Sequence, residues 1–282
     1  MNLQTHIIKG FHWPRHYTSA VAIGWHVDGE AGPIGSDPKN KEHLAARSMG
    51  QYGVTTAMPR ILDIHDDLDI PASFFIPAYL VKEYPELTKR ISEASVSHEI
   101  AYHGYMHENV FMVTDKEEDD LFDLQVTIMQ EELGRKCSGW SAPGWGVREN
   151  TLQNMFKHNF LYDSSLMEYD RPYILCYDEK KMVELPISMV LDDYEIYGAS
   201  LYPHGGGVNA TAEEGYQIYR EEFDGLRAYG GLFTTTFHPC ILGRPGRLMM
   251  LKRLLAYMKS FEDVWFATYE EIATYVKEEF IR

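Results

Sequence analysis

Hydrophobic and polar positions along this chain follow two rhythms. Short runs rich in β-branched and aromatic residues, at 20–27, 72–76, 99–103, 139–142, 160–162, 183–187, 232–238 and 264–267, have the length of buried strands. Between them lie stretches with helical spacing and explicit start signals. Thr114 and Glu117 form a capping box ahead of Leu121, Leu124 and Ile128, which recur at i, i+3 and i+7. Thr211 with Glu214 opens a second helix, and Thr268 with Glu271 opens the last, which carries Ile272 and Val276 on one face. A further helix over 247–258 has Leu251, Leu254, Leu255 and Met258 as its stripe. Repeated strand–helix alternation predicts an α/β fold with a largely parallel sheet. About seven or eight strands in 282 residues suit an irregular (β/α) barrel. No linker splits the chain, so one domain is expected over 1–282. Residues 1–17 then form an N-terminal arm carrying His12, Trp13 and His16, read as packing against the barrel. Segments 29–40 and 198–209, the latter with Gly205, Gly206 and Gly207, read as surface loops.

The ionisable groups fall where strands give way to loops, the face on which barrels do chemistry. The first long run ends in His26-Val27-Asp28, the third in His103-Gly104-Tyr105-Met106-His107, the seventh in Phe237-His238-Pro239. A His-x-x-x-His pair sets two imidazoles one helical turn apart, within reach of one ion. Imidazole with carboxylate suits zinc and other divalent first-row metals, and three protein ligands leave a position for water. Any one of these features is ordinary in a chain with 12 histidines; their order, each behind an apolar run, favours a metal site.

Charge narrows the partners. With 26 Lys and Arg against 42 Asp and Glu, the formal charge is −16, which argues against nucleic acid and anionic membranes. No run is long enough to span a membrane. The three cysteines, Cys137, Cys176 and Cys240, form no C-x-x-C pair and suit a reducing compartment. The cysteines suit a cytoplasmic protein; a homo-oligomer acting on a small molecule is a further expectation that the charge does not itself supply.

The segment 70–110 resembles the central block of the polysaccharide deacetylase superfamily, carbohydrate esterase family four. Ser73-Phe74-Phe75 stands in the place of its Thr-Phe-Phe strand, and His98-Glu99-Ile100 through His107 in that of its double-histidine motif. Asp28-Gly29, Ser141-Ala142-Pro143-Gly144-Trp145 and Phe237-His238-Pro239 match three further motifs in order. The resemblance implies a distorted (β/α) barrel, a metal triad of Asp28, His103 and His107, and His238 as general acid. Within the family, Leu191-Asp192-Asp193, Gly243-Arg244-Pro245 and Val264-Trp265-Phe266 are similar to a branch containing cyclic imide hydrolases, an intracellular-type peptidoglycan deacetylase and a ureide-ring hydrolase.

Two departures matter. Typical deacetylases carry a base Asp directly before the metal Asp; here that residue is Val27. They pair that base with an Arg in the third motif; here Ser141 and Ala142 stand there. His26 lies two residues before Asp28, on the same side of a strand, and is the candidate base. Trp145 and Asp193 are candidate substrate-binding residues, with Asp192-Asp193 also able to orient a histidine. Glu30 reads as a solvated loop residue. A weak base suits a good leaving group, so ring-opening of a cyclic imide, amide or ureide with zinc is the expected reaction. N-deacetylation of peptidoglycan or another polysaccharide is the alternative, and a non-catalytic ligand-binding barrel a third.

Overall fold

The apolar runs become strands packed around a common interior. The computed structural model describes residues 3–198 and 210–281. Among these the strands are β1 Leu3–Ile7, β2 Ser19–His26, β3 Ala72–Ile76, β4 Glu99–Tyr102, β5 Gly139–Trp140, β6 Tyr162–Asp163, β7 Tyr173–Tyr177, β8 Lys180–Glu184, β9 Leu232–Thr234 and β10 Val264–Phe266. β2, β3, β4, β5, β6 and β8 pair in parallel in that order, and β9 returns to pair in parallel with β2. The ring closes through a backbone bridge between Asp192 and Thr236. β10 takes the lower half of the β2 edge (Val264 opposite Ser19) while β3 takes the upper half (Phe75 opposite His26). That splitting of one edge between two strands is the distortion in this (β/α) barrel. All eight residues of β2 are buried, as a strand covered on both faces demands.

Side chains on the inward face fill the barrel. Ala22, Phe75, Ala101 and Tyr162 share one apolar cluster with Tyr269, whose helix Tyr269–Phe280 plugs the end where the strands begin. The three capping boxes at Thr114, Thr211 and Thr268 all form, each with reciprocal hydrogen bonds. The helix Pro245–Lys259 buries Leu251, Leu254, Leu255 and Met258, each worth about 1.5–3 kcal/mol on burial.

Several expectations change. Of the expected stripe on the helix Asp115–Leu133, Ile128 is buried, but Leu124 is 39% exposed and Leu121 half-buried; Phe122, Gln125, Val126 and Met129 join Ile128 on the inward face. Glu118 and Phe122 set that rotation, through an ion pair to Arg148 at 2.6 Å and stacking on Trp140 at 4.7 Å. β1 and β7 are an antiparallel extension beyond the barrel, absent from the sequence reading. β1 has all five residues exposed, so it carries no inside–outside alternation to read. Beyond β1 the arm packs on its own chain: Trp13 is buried and donates from Nε1 to the Gly230 carbonyl at 3.0 Å. Segment 29–40 is helix Ala31–Ser36 followed by a 3-10 turn, Pro38–Glu42, rather than a loop. Gly35 explains why a glycine-rich helix forms there, since a Cβ would lie 2.0 Å from the Met106 carbonyl oxygen. Close packing against the loop after β4 overrides poor helix propensity. Apart from Gly198, the loop expected at 198–209, with its glycine triplet, lies outside the described residues.

Candidate active site

The barrel brings Asp28, His103, His107, His238 and His26 to one end. Asp28 follows β2 by two residues, and the chain then turns through Gly29 at φ +52°. His103 follows β4 directly. The next four residues are not helical: Gly104 has φ +76° and His107 itself φ +55°. The imidazoles therefore converge through a tight loop, not through the helical turn the spacing suggests. Glu108 holds that loop, its carboxylate accepting from the backbone of Tyr105 at 3.1 Å and Met106 at 2.8 Å. A left-handed non-glycine residue is strained, and such strain persists where surrounding contacts impose it.

Asp28 Oδ1 lies 3.3 Å from His103 Nε2, and Asp28 Oδ2 lies 3.5 Å from His107 Nε2. Ligands about 2.0–2.1 Å from one tetrahedral ion stand about 3.4 Å apart, so the spacing fits a shared divalent ion. Two further facts agree. Asp28 Oδ1 and His103 Nε2 are buried without a hydrogen-bond partner. Moreover, His103 Nδ1 donates to the Ser141 carbonyl at 2.6 Å, which turns the lone pair of Nε2 toward Asp28. Burial raises the Asp28 pKa, but His107, His103 and His238 together hold it well below the carboxylate range. Burial lowers His107 to about 4, against the pull of Asp28. Both groups are in the protonation state a metal needs.

His238 sits across from this triad, its Nε2 3.6 Å from Asp28 Oδ2. Asp193 grips it twice, accepting from the His238 backbone N–H at 2.9 Å and from Nδ1 at 2.6 Å. Burial opposes charge on His238, yet Asp193, with Asp28 and Asp192 beyond it, raises its pKa to about 9. Asp193 is fully buried and is not among the cavity's described lining residues; its contacts with His238 match the other reading, that it orients a histidine. Its neighbour Asp192 lines the cavity while capping the short helix Asp193–Tyr197 through the Tyr194 N–H.

The cavity above these groups measures about 350 Å³. Trp145, Tyr194, Met49 and Pro33 wall it, His26 and His238 reach into it, and its described lining residues include no Lys or Arg. Trp145 adopts φ +57° and stands with its ring 5.4 Å from that of His26. Trp140, by contrast, is core. Glu30, expected in solvent, is buried and accepts from Tyr84 Oη at 2.8 Å. His98 lies just before β4, away from the triad, where its Nδ1 accepts from the Ala72 N–H. Tyr194 and Glu108 are the residues sequence reasoning missed. Glu108 had one signal, a carboxylate directly after a ligand in a glycine-bearing loop.

Comparison with known proteins agrees with this geometry. Residues 50–162 match the family described as polysaccharide deacetylase. A solved structure assigned as a polysaccharide deacetylase, from Mycobacterium smegmatis, is 33% identical, covers 99% of this chain and 96% of its own, and superposes with a TM-score of 0.92. The chain belongs to the polysaccharide deacetylase family. A peptidoglycan deacetylase of Helicobacter pylori is 28% identical over 90% of this chain and 94% of its own length. A Puue allantoinase, 22% identical over 95% of this chain and 93% of its own, shares the fold with a TM-score of 0.83. The family hydrolyses C–N bonds other than peptide bonds and generally depends on a divalent metal, and this member has a ligand cluster to hold one. No helix among the described residues is long and apolar enough to cross a membrane.

Proposed function

We propose that this protein opens a small cyclic imide, or a related cyclic amide or ureide, by hydrolysis of one ring C–N bond. The observation that carries the reading is His26, a buried imidazole on the cavity wall, in a chain whose position for the family's carboxylate base is held by Val27. Burial, with His103 and His238 close by, pushes its pKa well below the ordinary histidine range. A neutral imidazole is a weak base, and an imide nitrogen is a good leaving group that asks little of it. The cavity, small and with no Lys or Arg among its described lining residues, suits a compact neutral ring.

Asp28, His103 and His107 would hold the ion, zinc by the chemistry of the donor set. Bound there, a divalent ion polarises a carbonyl and lowers the pKa of a water to about 7. His26 takes a proton from the attacking water. Oxygen bonds to the ring carbonyl carbon, the C–N bond breaks, and His238 gives a proton from Nε2 to the departing nitrogen. The product keeps acid and amide in one molecule. Asp193 steadies the imidazolium of His238 before that transfer and keeps its Nδ1 proton in place after it. Asp192, which lines the cavity, would accept from a second ring N–H where the substrate has one. The cytoplasmic location and homo-oligomeric assembly expected above belong to the same proposal.

The similarity to a peptidoglycan deacetylase over most of the chain favours a second reading, removal of acetyl groups from an N-acetylated sugar polymer. One comparison separates them: kcat/KM on succinimide and hydantoin against N-acetylglucosamine oligomers, with a single zinc-loaded preparation. Faster rings support the first reading. An oligomer hydrolysed faster than every ring overturns it in favour of the second.

A further inference from the structure

We infer that Ser141 is a positioning residue that fixes which nitrogen of His26 faces the cavity. The argument is a count of protons. Ser141 Oγ lies 2.8 Å from the Ser164 carbonyl and 3.2 Å from His26 Nε2. A hydroxyl has one proton to give. The carbonyl can only accept, so Ser141 gives its proton there and must accept from His26. His26 is thereby the Nε2–H tautomer, and its lone pair sits on Nδ1, the nitrogen left for the cavity. The same residue orients a metal ligand, because its carbonyl accepts from His103 Nδ1 at 2.6 Å. One serine thus sets two imidazoles in opposite tautomers, whose rings stand 4.3 Å apart.

The seat of Ser141 is itself held. Its neighbour Ala142 donates its N–H to Ser165 Oγ at 2.9 Å, and Ser165 Oγ donates to Asp163 Oδ1 at 2.6 Å. Glu184, paired with Asp163 across β6 and β8, accepts from the backbone of Ser165 and Leu166. Ser164 is tied by its N–H to the Trp140 carbonyl and by Oγ to the Leu185 carbonyl. All of these serines and both carboxyls are at most 3% exposed. Ser141 occupies the place where the family resemblance implies an arginine opposite an acidic base. A neutral hydroxyl suits an imidazole already crowded by two others, where a guanidinium would place a fixed positive charge beside it. The effect on rate rests on His26 acting as the base proposed above; the tautomer does not.

Long-range ¹H–¹⁵N correlation of the imidazoles in zinc-loaded protein tests the inference, with His26 assigned by its loss in His26→Gln. His26 should show the Nε2–H pattern and His103 the Nδ1–H pattern. In Ser141→Ala the His26 signal should move to the other tautomer or a mixture, and kcat should fall about 10–100-fold, the usual size for a partner that orients a site imidazole. KM and bound zinc should be unchanged, since the carbonyl holding His103 remains. Ser141→Thr should restore tautomer and kcat together. An Nδ1–H pattern for His26 in the unsubstituted protein would overturn the inference whether or not the alanine variant folds. So would an alanine variant with the original tautomer and rate. The spectrum needs no substrate, so it fails or succeeds apart from the choice between imide and acetylated sugar.

Discussion

The two ends of the barrel make opposite use of the same strand. Along the inward side of β4, Glu99 sits at the lower end and His103 just beyond the upper one. Both are buried, at 2% and 0% exposure. Glu99 is fully partnered: its carboxylate accepts from Ser73 Oγ at 2.5 Å, Tyr162 Oη at 2.7 Å and the Glu270 N–H at 3.0 Å. At the upper end, His103 Nε2 and Asp28 Oδ1 face each other with no donor between them. Their acids shift in opposite directions. Burial raises Glu99 to about 7 despite its three donors, whereas the histidines around Asp28 hold it well below the usual range. Burial of a polar group therefore does not mark a functional site; here the mark is a set of metal-ligand types, two of them with an unpartnered buried atom, converging at ligand spacing.

Substitution at each end should break different things. At the upper end, His103→Ala or His107→Ala should abolish both bound metal and turnover while the chain still folds. Elemental analysis beside a rate assay checks it, and full turnover without metal would contradict the account. Next in size, His238→Ala should lower the rate roughly 10²–10⁴-fold with metal retained, the range of a general-acid contribution. That loss should shrink as the leaving group improves; an equal loss on good and poor leaving groups would mean a binding role.

At the lower end, Glu99 should govern stability rather than chemistry. Its folded pKa, about 7, lies above the ordinary 4.5. The folded state therefore favours the neutral acid. Its contribution is complete below about pH 4.5, falls as pH rises through about 7, and then levels off, about 3 kcal/mol in all. Denaturant titrations from pH 4.5 to 8 should show this decline in the unsubstituted protein and a flatter profile in Glu99→Gln. Smallest of all, free zinc at a hundredfold over its Kd should add about 2.7 kcal/mol of stability. Thermal melts should show that gain in Glu99→Gln and lose it in His107→Ala.

Most of the upper end could be read from the sequence, and the reason is local. Asp28, His103 and His238 each follow an apolar strand, and a strand end in a parallel barrel has a known destination. The capping boxes were legible because their two partners lie three residues apart. What escaped depends on contacts between distant segments. Asp192 and Asp193 are adjacent carboxylates with the same turn chemistry, and only the bridge to Thr236 decides which faces the cavity. Glu30 reads as solvated until the distant Tyr84 is placed beside it. The left-handed backbone of His107 has no signature in a residue that is not glycine. Ser141 was visible only as a missing arginine, since its function lies in a carbonyl and a hydroxyl that touch histidines 38 and 115 residues away.

The account stands on the upper end of the barrel holding a divalent ion through Asp28, His103 and His107. Calorimetric titration of metal-stripped protein with zinc tests this most directly. The prediction is about one ion per chain in both the unsubstituted protein and Glu99→Gln, as expected of one site with three protein ligands, and none at this site in His103→Ala. Zinc binding by His103→Ala with undiminished affinity and stoichiometry, or an unsubstituted protein that turns over substrate with no ion bound, would contradict it.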